Sequence, residues 1–281
     1  LTQAEETFRN HCPGSTAEVR SCRQLSAWLT TQLGFEDLSR TEQWMREAEE
    51  RDDAIGARRL RLLSVLAALV ADDTAKAELR IRGSRADGPL DPNDVISLLA
   101  IPARMQLHLY RHEPHACRTL LDEIEKMFTS PLCAVRVWRA SNHLAYARVG
   151  LVACAEDGDP EPTLERVEAH LAQLEALNLP QHADHARLLR AECAQRRGQS
   201  DEALRLLDAI LKDDEQAADG AVVLAAARLC KARLCTAQQA AEATALREAA
   251  HSAMRSRGIE NPIAFARLYA PAFDTASAAH G

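Results

Sequence analysis

Three histidines and a cysteine form the cluster best suited to bind a metal ion, and they are His108, His112, His115 and Cys117. Imidazole and thiolate groups are the ligands that zinc and copper prefer. His108 and His112 share one helix face, and the turn that follows would bring His115 nearby. Pro114 ends this helix, and the stretch from His112 to His115 is one residue shorter than the HExxH zinc motif. We therefore predict no metal here, and we keep a metal-binding sensor or metal-dependent enzyme at this cluster as the alternative function.

Other catalytic signatures are incomplete or missing. Gly83 and Gly88 have the GxxxxG spacing of a phosphate-binding loop, but Pro89 and Leu90 stand where that loop needs a lysine and a serine or threonine. Without the ammonium and hydroxyl groups, the loop has no side chain for a nucleotide phosphate and its magnesium ion. The GxSxG motif of hydrolases and the HRD and DFG motifs of kinases do not occur. We predict that the chain is not an enzyme, has no catalytic residues and binds no cofactor.

A polar stripe is predicted on the helix that covers residues 132–155. Its side chains recur at positions i, i+3, i+4 and i+7, and the complementary face is mainly apolar. In tetratricopeptide arrays the first helix of each pair lines the concave side, where such a stripe can bind a peptide or a carboxylate. An ordinary solvated helix face is the alternative interpretation. The predicted partner-binding residues are Arg139, Asn142, His143 and Tyr146 on this helix, and His185, Glu192, Gln195 and Arg233 on later helices.

The elements that would position these residues are helices. The chain has 281 residues, with only 11 glycines and 11 prolines, and aromatic residues make up 4% of it. Alanine and leucine are abundant, and they are the strongest helix formers. The longest apolar stretch, Leu62 to Ala71, is about half the roughly 20 residues that a membrane-spanning helix needs. The composition therefore predicts an all-α protein without a membrane span.

Charge and cysteine usage narrow the partners and the compartment. The formal net charge is −7, which repels nucleic acids and anionic membrane surfaces, so we predict neither as a partner. The eight cysteines fall mostly inside helical patterns and form no CxxC motif, which predicts reduced thiols and a cytoplasmic location. The chain begins at Leu1 rather than at a methionine, and we expect it to be a fragment of a longer polypeptide.

Helical patterns recur in pairs, and the breaks inside successive pairs are spaced by roughly 40 residues, as in helix-pair repeats. The stretch from Asp184 to Ala217 fits the roughly 34-residue tetratricopeptide pattern, with Ala191 and Ala203 at the helix crossing and Gly198 at the turn. We predict a right-handed superhelical array of antiparallel helix pairs, that is, a tetratricopeptide-like α-solenoid. Residues 1–281 would form a single domain, with a mobile loop at 83–92 and a disordered tail at 274–281.

Three stretches carry a family resemblance that covers nearly the whole chain. They are residues 4–12 (AEETFRNHC), residues 46–53 (REAEERDD) followed by ADD at 71–73, and residues 253–262 (AMRSRGIENP) leading to LYAPAF at 268–273. In these stretches the chain resembles the C-terminal helical region of large bacterial serine/threonine protein kinases that carry an AAA-type ATPase module. The terminal stretch is the most specific part, and the 83–92 loop replaces an aromatic-rich segment of that family.

This resemblance implies that a kinase and an ATPase precede this region in a longer polypeptide and that neither catalytic activity belongs to these residues. The predicted function is a non-catalytic protein–protein interaction scaffold or sensor region. It would bind a protein or peptide along the concave groove and regulate a linked or partner kinase or ATPase. The nearest alternative is that this region senses a small effector molecule and thereby controls an attached ATPase or kinase.

Overall fold

The structure is a computed structural model, and it describes residues 2–12, 16–33, 38–212 and 221–272. The described residues are α-helical apart from short connections, and they contain no β-strand, so the all-α prediction is confirmed. The helices are α1 (Thr2–His11), α2 (Thr16–Leu33), α3 (Leu38–Glu50), α4 (Ala54–Leu63), α5 (Val65–Val70), α6 (Thr74–Gly83), α7 (Val95–Arg111), α8 (Pro114–Met127), α9 (Arg136–Ala153), α10 (Glu161–Ala176), α11 (Ala183–Arg196), α12 (Ser200–Lys212), α13 (Ala221–Leu234), α14 (Ala240–Arg255) and α15 (Pro262–Ala266).

Tight turns join the helices of several pairs, at the places where the sequence predicts breaks. Asp72 (φ 54°), His112 (φ 53°) and Gly198 (φ 73°) adopt the left-handed conformation that often ends a helix. Glycine adopts this conformation without steric cost, whereas a side chain makes it unfavourable. After Asp72, the Asp73 side chain caps the start of α6 by accepting a hydrogen bond from the backbone N–H of Lys76 at 2.8 Å.

One predicted helix is divided in two. The pattern over residues 53–71 predicts a continuous helix, but Ser64 separates α4 from α5. The Ser64 hydroxyl donates to the Arg61 carbonyl oxygen at 2.8 Å, and the Ser64 carbonyl oxygen accepts a hydrogen bond from the Arg80 guanidinium. Arg80 is itself paired with Glu42 on α3. A serine hydroxyl that bonds to local backbone competes with helical hydrogen bonding, and the buried Arg80 adds a contact from another helix at the same residue.

The helices pack in a repeat-like manner. In each of the pairs α5–α6, α7–α8, α9–α10, α11–α12 and α13–α14, the two helices contact each other, and the first helices α5, α7, α9, α11 and α13 each contact the next in that series. Small residues allow the close crossing of α11 and α12, where Ala191 and Ala203 are buried. The described chain is thus an all-α, helical-repeat-like structure.

Residues 259–272, here called the C-terminal segment, cross back over the row of first helices. The backbone N–H of Glu260 donates to the Val70 carbonyl oxygen at 3.0 Å, at the end of α5. The Arg267 guanidinium donates to the Tyr110 carbonyl oxygen on α7 at 3.1 Å. Within the segment, Phe265 is completely buried. The C-terminal segment therefore covers the first helices, which the sequence predicts to line a concave binding groove.

Side chains from other parts of the chain form hydrogen bonds with the middle and the end of the predicted mobile loop at 83–92. The Arg104 guanidinium donates to the Gly88 carbonyl oxygen at 3.1 Å, and the Ser130 hydroxyl donates to the Pro92 carbonyl oxygen. Its mobility stays a prediction. The predicted disordered tail at 274–281 lies outside the described residues. Within the described ranges, no helix has the length and apolar character needed to cross a membrane.

Candidate functional site

A buried arginine lies at the centre of the row of first helices. Every residue of α9 from Ala140 to Ala153 is buried, and Arg148 is the one basic side chain among the apolar residues of its second half. The Arg148 Nη2 atom lies 2.8 Å from Nδ1 of His185 on α11. The guanidinium carbon lies 5.1 Å from the ring centroid of Tyr269 in the C-terminal segment, within cation–π range. Its Nε atom is buried and has no hydrogen-bond partner.

Burial sets the charges of these groups. Burial lowers the pKa of Arg148 to about 10, so the side chain remains a cation at neutral pH. Burial, followed by the charge of Arg148, holds the pKa of His185 well below its usual range and lowers the pKa of His182 to about 4. A neutral His185 accepts from Arg148 at Nδ1, and this assigns its own proton to Nε2. The cluster therefore carries one net positive charge on Arg148.

A small cavity adjoins this cluster. Its volume is about 20 Å³, enough for a water molecule or a group of similar size, and it is partly open to solvent. Four helices and the C-terminal segment surround this cavity. The polar side chains on its wall are Gln106, Ser141, Arg148, His185 and Tyr269, and the apolar ones are Leu66, Pro102, Met105, Leu144, Ala145 and Leu268.

A buried carboxyl group lies on the same helix as His185. Glu192 has 2% of its surface exposed, and its Oε1 accepts a hydrogen bond from the backbone N–H of Ala272 at 3.0 Å. Its Oε2 is buried without a partner. Burial raises the pKa of Glu192 to about 8, and nearby arginines and the Ala272 hydrogen bond only partly oppose this shift. At neutral pH the carboxyl group is mostly protonated, and it holds the end of the C-terminal segment.

A second polar cluster fills the contact between α9 and α10. Nδ1 of His143 lies 2.9 Å from Nδ1 of His170, and the Tyr146 ring is stacked on the His170 ring with centroids 3.8 Å apart. Phe128 contacts both imidazoles. Burial lowers the pKa of each histidine to about 4, and for His143 the neighbouring His170 adds to the effect. Both rings are therefore neutral at pH 7, and one of the two donates to the other.

The predicted partner-binding residues lie in several environments. His143 and Tyr146 face α10, whereas His185 and Glu192 face the C-terminal segment. Asn142 is buried and donates to the Cys133 sulfur at 3.1 Å. The others have solvent access: Arg139 is exposed and donates to the Cys133 carbonyl oxygen at 3.0 Å, and Gln195 and Arg233 are half-buried. The eight residues do not form one exposed surface, and their role in partner binding stays a prediction.

The histidine–cysteine cluster does not assemble as a metal site. Nδ1 of His108 lies 2.7 Å from Oε2 of Glu113, and Cys117 is fully buried. Burial, followed by the charge of Glu113, raises the pKa of the Cys117 thiol to about 12, so it stays protonated. Within the described ranges, no group of three or more histidine, cysteine, aspartate or glutamate residues is arranged to hold a metal ion.

Comparison with known proteins gives no relative. The chain matches no family model, no curated protein and no solved structure. The comparisons therefore assign no function to this chain.

Three residues that are central to these clusters were not predicted from the sequence. Arg148, His170 and Tyr269 lie on three different elements, and only the fold brings them to their partners. Arg148 had a detectable signal, because it is a single charge in the otherwise apolar stretch from Ala145 to Cys154. A charged residue of this kind is usually exposed on one helix face, and where it is buried it normally has a charged or hydrogen-bonding partner. His170 and Tyr269 had no comparable signal.

Proposed function

We propose that this chain is a non-catalytic binding scaffold whose row of first helices holds a peptide segment of a protein partner. One observation carries the proposal: this face already binds a peptide segment in cis. The C-terminal segment is held by hydrogen bonds to the end of α5, to α7 and to α11. Side chains on the first helices also contact its Tyr269, which is stacked on His185 with centroids 5.7 Å apart.

The chemistry of this face suits a peptide. A bound peptide must satisfy its backbone N–H and C=O groups, and Val70 and Glu192 each accept a hydrogen bond from a backbone N–H of the C-terminal segment. Apolar side chains of the segment, Phe265 and Leu268, are buried against the helices. A right-handed superhelical array with a concave groove would present this face along its whole length, and that geometry is part of the proposal.

We further propose that the partner is a kinase or an ATPase, either linked to this chain or separate from it. The resemblance to the helical region of the bacterial kinases supports this choice of partner. In such an arrangement this chain would act as a scaffold or a sensor region, and the catalytic groups would lie on the partner. The metal-binding alternative receives no support from the geometry of His108 and Cys117.

Affinity capture with the full chain tests the scaffold proposal. The chain would be immobilised and incubated with lysate of the cell that produces it, and bound proteins would be identified by mass spectrometry. We expect a stoichiometric partner that a synthetic peptide of residues 259–272 displaces, because the peptide and the partner would use the same face. A scrambled peptide of the same composition is the control and should displace nothing. A partner that the native peptide leaves bound would contradict the proposed face.

A further inference from the structure

Four arginines are buried in the described part of the chain, and three of them have a carboxylate partner. Arg23, Arg80 and Arg104 each form an ion pair with a glutamate. Arg148 forms no ion pair with any described residue, since its contacts are with the neutral His185 imidazole and an aromatic ring. A buried charge without a counter-charge is strongly unfavourable in a folded protein. The exception therefore calls for a counter-charge that the described residues do not supply.

The buried carboxyl group of Glu192 does not supply it. Glu192 acts on the charge of Arg148 at long range only, and no hydrogen bond joins the two side chains. Burial raises the pKa of Glu192 to about 8, so this group is mostly neutral at pH 7. Among the residues that the structure describes, no carboxylate balances the Arg148 charge at the wall of the cavity.

Hydrogen-bond donors surround the same cavity. Gln106 and Ser141 line it beside Arg148, and each is at least nine-tenths buried. In the described part of the chain, neither side chain forms a hydrogen bond, and the Arg148 Nε is also unpaired. Guanidinium, amide and hydroxyl groups all donate to anions. Apolar neighbours such as Leu66 and Leu268 limit water access, which strengthens the attraction between opposite charges.

We propose that this cavity binds one small monoanion, either an inorganic ion such as chloride or the carboxylate group of a small organic acid. The anion would pair with the Arg148 guanidinium and accept hydrogen bonds from Ser141 and Gln106. The volume of about 20 Å³ accommodates an ion or a carboxylate head, and the partial opening leaves room for a short organic chain. A bound water molecule would satisfy the donors but not the charge. This site goes beyond the scaffold function and does not depend on it.

Two measurements on the full chain test the site. Thermal unfolding would be followed at constant ionic strength while chloride, formate or acetate replaces gluconate, an anion too large for the cavity. A site that exists only in the folded protein raises the melting temperature once the anion exceeds its dissociation constant. In parallel, the ³⁵Cl NMR linewidth reports chloride exchange with a protein site directly. We expect excess broadening by the wild-type chain, and its reversal by formate if the two ions share the site.

Matched variants assign the effect to Arg148. Arg148→Met should abolish both the anion-dependent rise in melting temperature and the chloride broadening. Arg104→Met, which removes a buried arginine that is already paired, should retain both. Ser141→Val removes one donor and narrows the cavity, and we expect it to weaken binding by about tenfold. Wild-type chain that shows neither broadening nor a saturable stabilisation would overturn the proposal, and so would an equal response from Arg148→Met.

Discussion

Glu192 is the carboxyl group whose titration is expected to dominate the stability of the chain above neutral pH. Its pKa is raised to about 8 by burial, so the folded chain retains a proton that the unfolded chain releases near pH 4.5. Its contribution to stability is therefore complete below about pH 4.5, decreases as the pH rises, and reaches its minimum above about pH 8. The total change is on the order of a few kcal/mol.

Glu192→Gln should remove this pH dependence. Glutamine has the same shape, and its Oε1 can still accept from the Ala272 N–H, but it cannot ionise. We expect the variant to gain stability relative to the wild type between pH 5 and pH 8.5, measured by urea unfolding at each pH. Glu165→Gln, which alters an exposed carboxylate on α10, is the control and should change little. Parallel pH profiles for wild type and Glu192→Gln would contradict the assignment.

The His143–His170 pair should make the chain sensitive to acid. Burial lowers the pKa of both imidazoles to about 4, while the unfolded chain protonates them near pH 6.5. The contribution of the two neutral histidines to the free energy of unfolding is therefore complete above about pH 6.5, and it is lost as the pH falls towards 4. In His170→Phe one group no longer titrates and the stacking on Tyr146 can persist. We expect the loss of stability between pH 6.5 and pH 4 to be smaller by on the order of 1–3 kcal/mol.

Circular dichroism during acid titration would measure this effect. His115→Phe, which changes a histidine outside the pair, is the control. An acid midpoint that is the same in His170→Phe and in the wild type would show that the pair does not govern acid unfolding.

Residue roles were only partly predictable from the sequence. Spacing along one helix places Asn142, His143 and Tyr146 on adjacent positions correctly, because the helical period is fixed. It does not say which neighbouring element covers them, and here α10 contributes His170. The sequence predicts that the polar side chains of α9 face a groove. Polar side chains can also be buried between two packed helices, as the His143–His170 pair is. The Tyr146 hydroxyl group is also buried, and it has no hydrogen-bond partner among the described residues.

At the scale of helices, the close contact of α9 with α10 depends on a glycine. A Cβ atom added to Gly150 would lie 2.6 Å from Cγ2 of Val167 and 3.7 Å from Cδ1 of Leu121. Gly150→Ala gains up to about 1 kcal/mol of helix propensity, but overpacking costs about 1–3 kcal/mol. We expect a net loss of about 1 kcal/mol in the free energy of unfolding, measured by urea denaturation.

The double variant Gly150→Ala with Val167→Ala tests whether this contact is the cause. Val167→Ala alone leaves a cavity and is expected to cost about 1–3 kcal/mol. Because the new methyl group occupies part of that cavity, the double variant should be more stable than the sum of the two single changes predicts, by about 1 kcal/mol. Strict additivity would show that helix propensity, rather than the α9–α10 contact, decides the effect.

Most helices were predictable, and the exceptions have physical reasons. The end of α7 at Arg111 and the start of α8 at Pro114 follow from local sequence, since proline ends one helix and suits the first turn of another. The break at Ser64 was not predictable, because it depends on Arg80, a residue on another helix whose guanidinium binds the Ser64 carbonyl oxygen. Local propensity cannot include such a contact.

At the scale of the whole molecule, the C-terminal segment joins parts of the chain that are far apart in sequence. Asn261 contacts Asp72 through its side-chain amide, at 3.4 Å from Oδ2, and Arg267 contacts α7. The segment contains the short helix Pro262–Ala266, and the surface that this helix covers was not predictable from the sequence. A helix of one or two turns contains no pattern that identifies the surface it covers. Helix pairs stack on their neighbours, whereas this segment returns across several of them.

Phe265→Ala should therefore destabilise more of the chain than the C-terminal segment alone. Phe265 is completely buried in the main core, and truncation of such a side chain costs about 3–5 kcal/mol. If the segment stabilises the first helices together, amide hydrogen exchange should increase in residues 259–272 and also in α5, α7 and α11. Leu79→Ala removes an exposed leucine (69% of its surface accessible) and should leave exchange unchanged. Faster exchange confined to residues 259–272 would show that the segment lies on an array that is stable without it, and that its face can open to a partner at little cost.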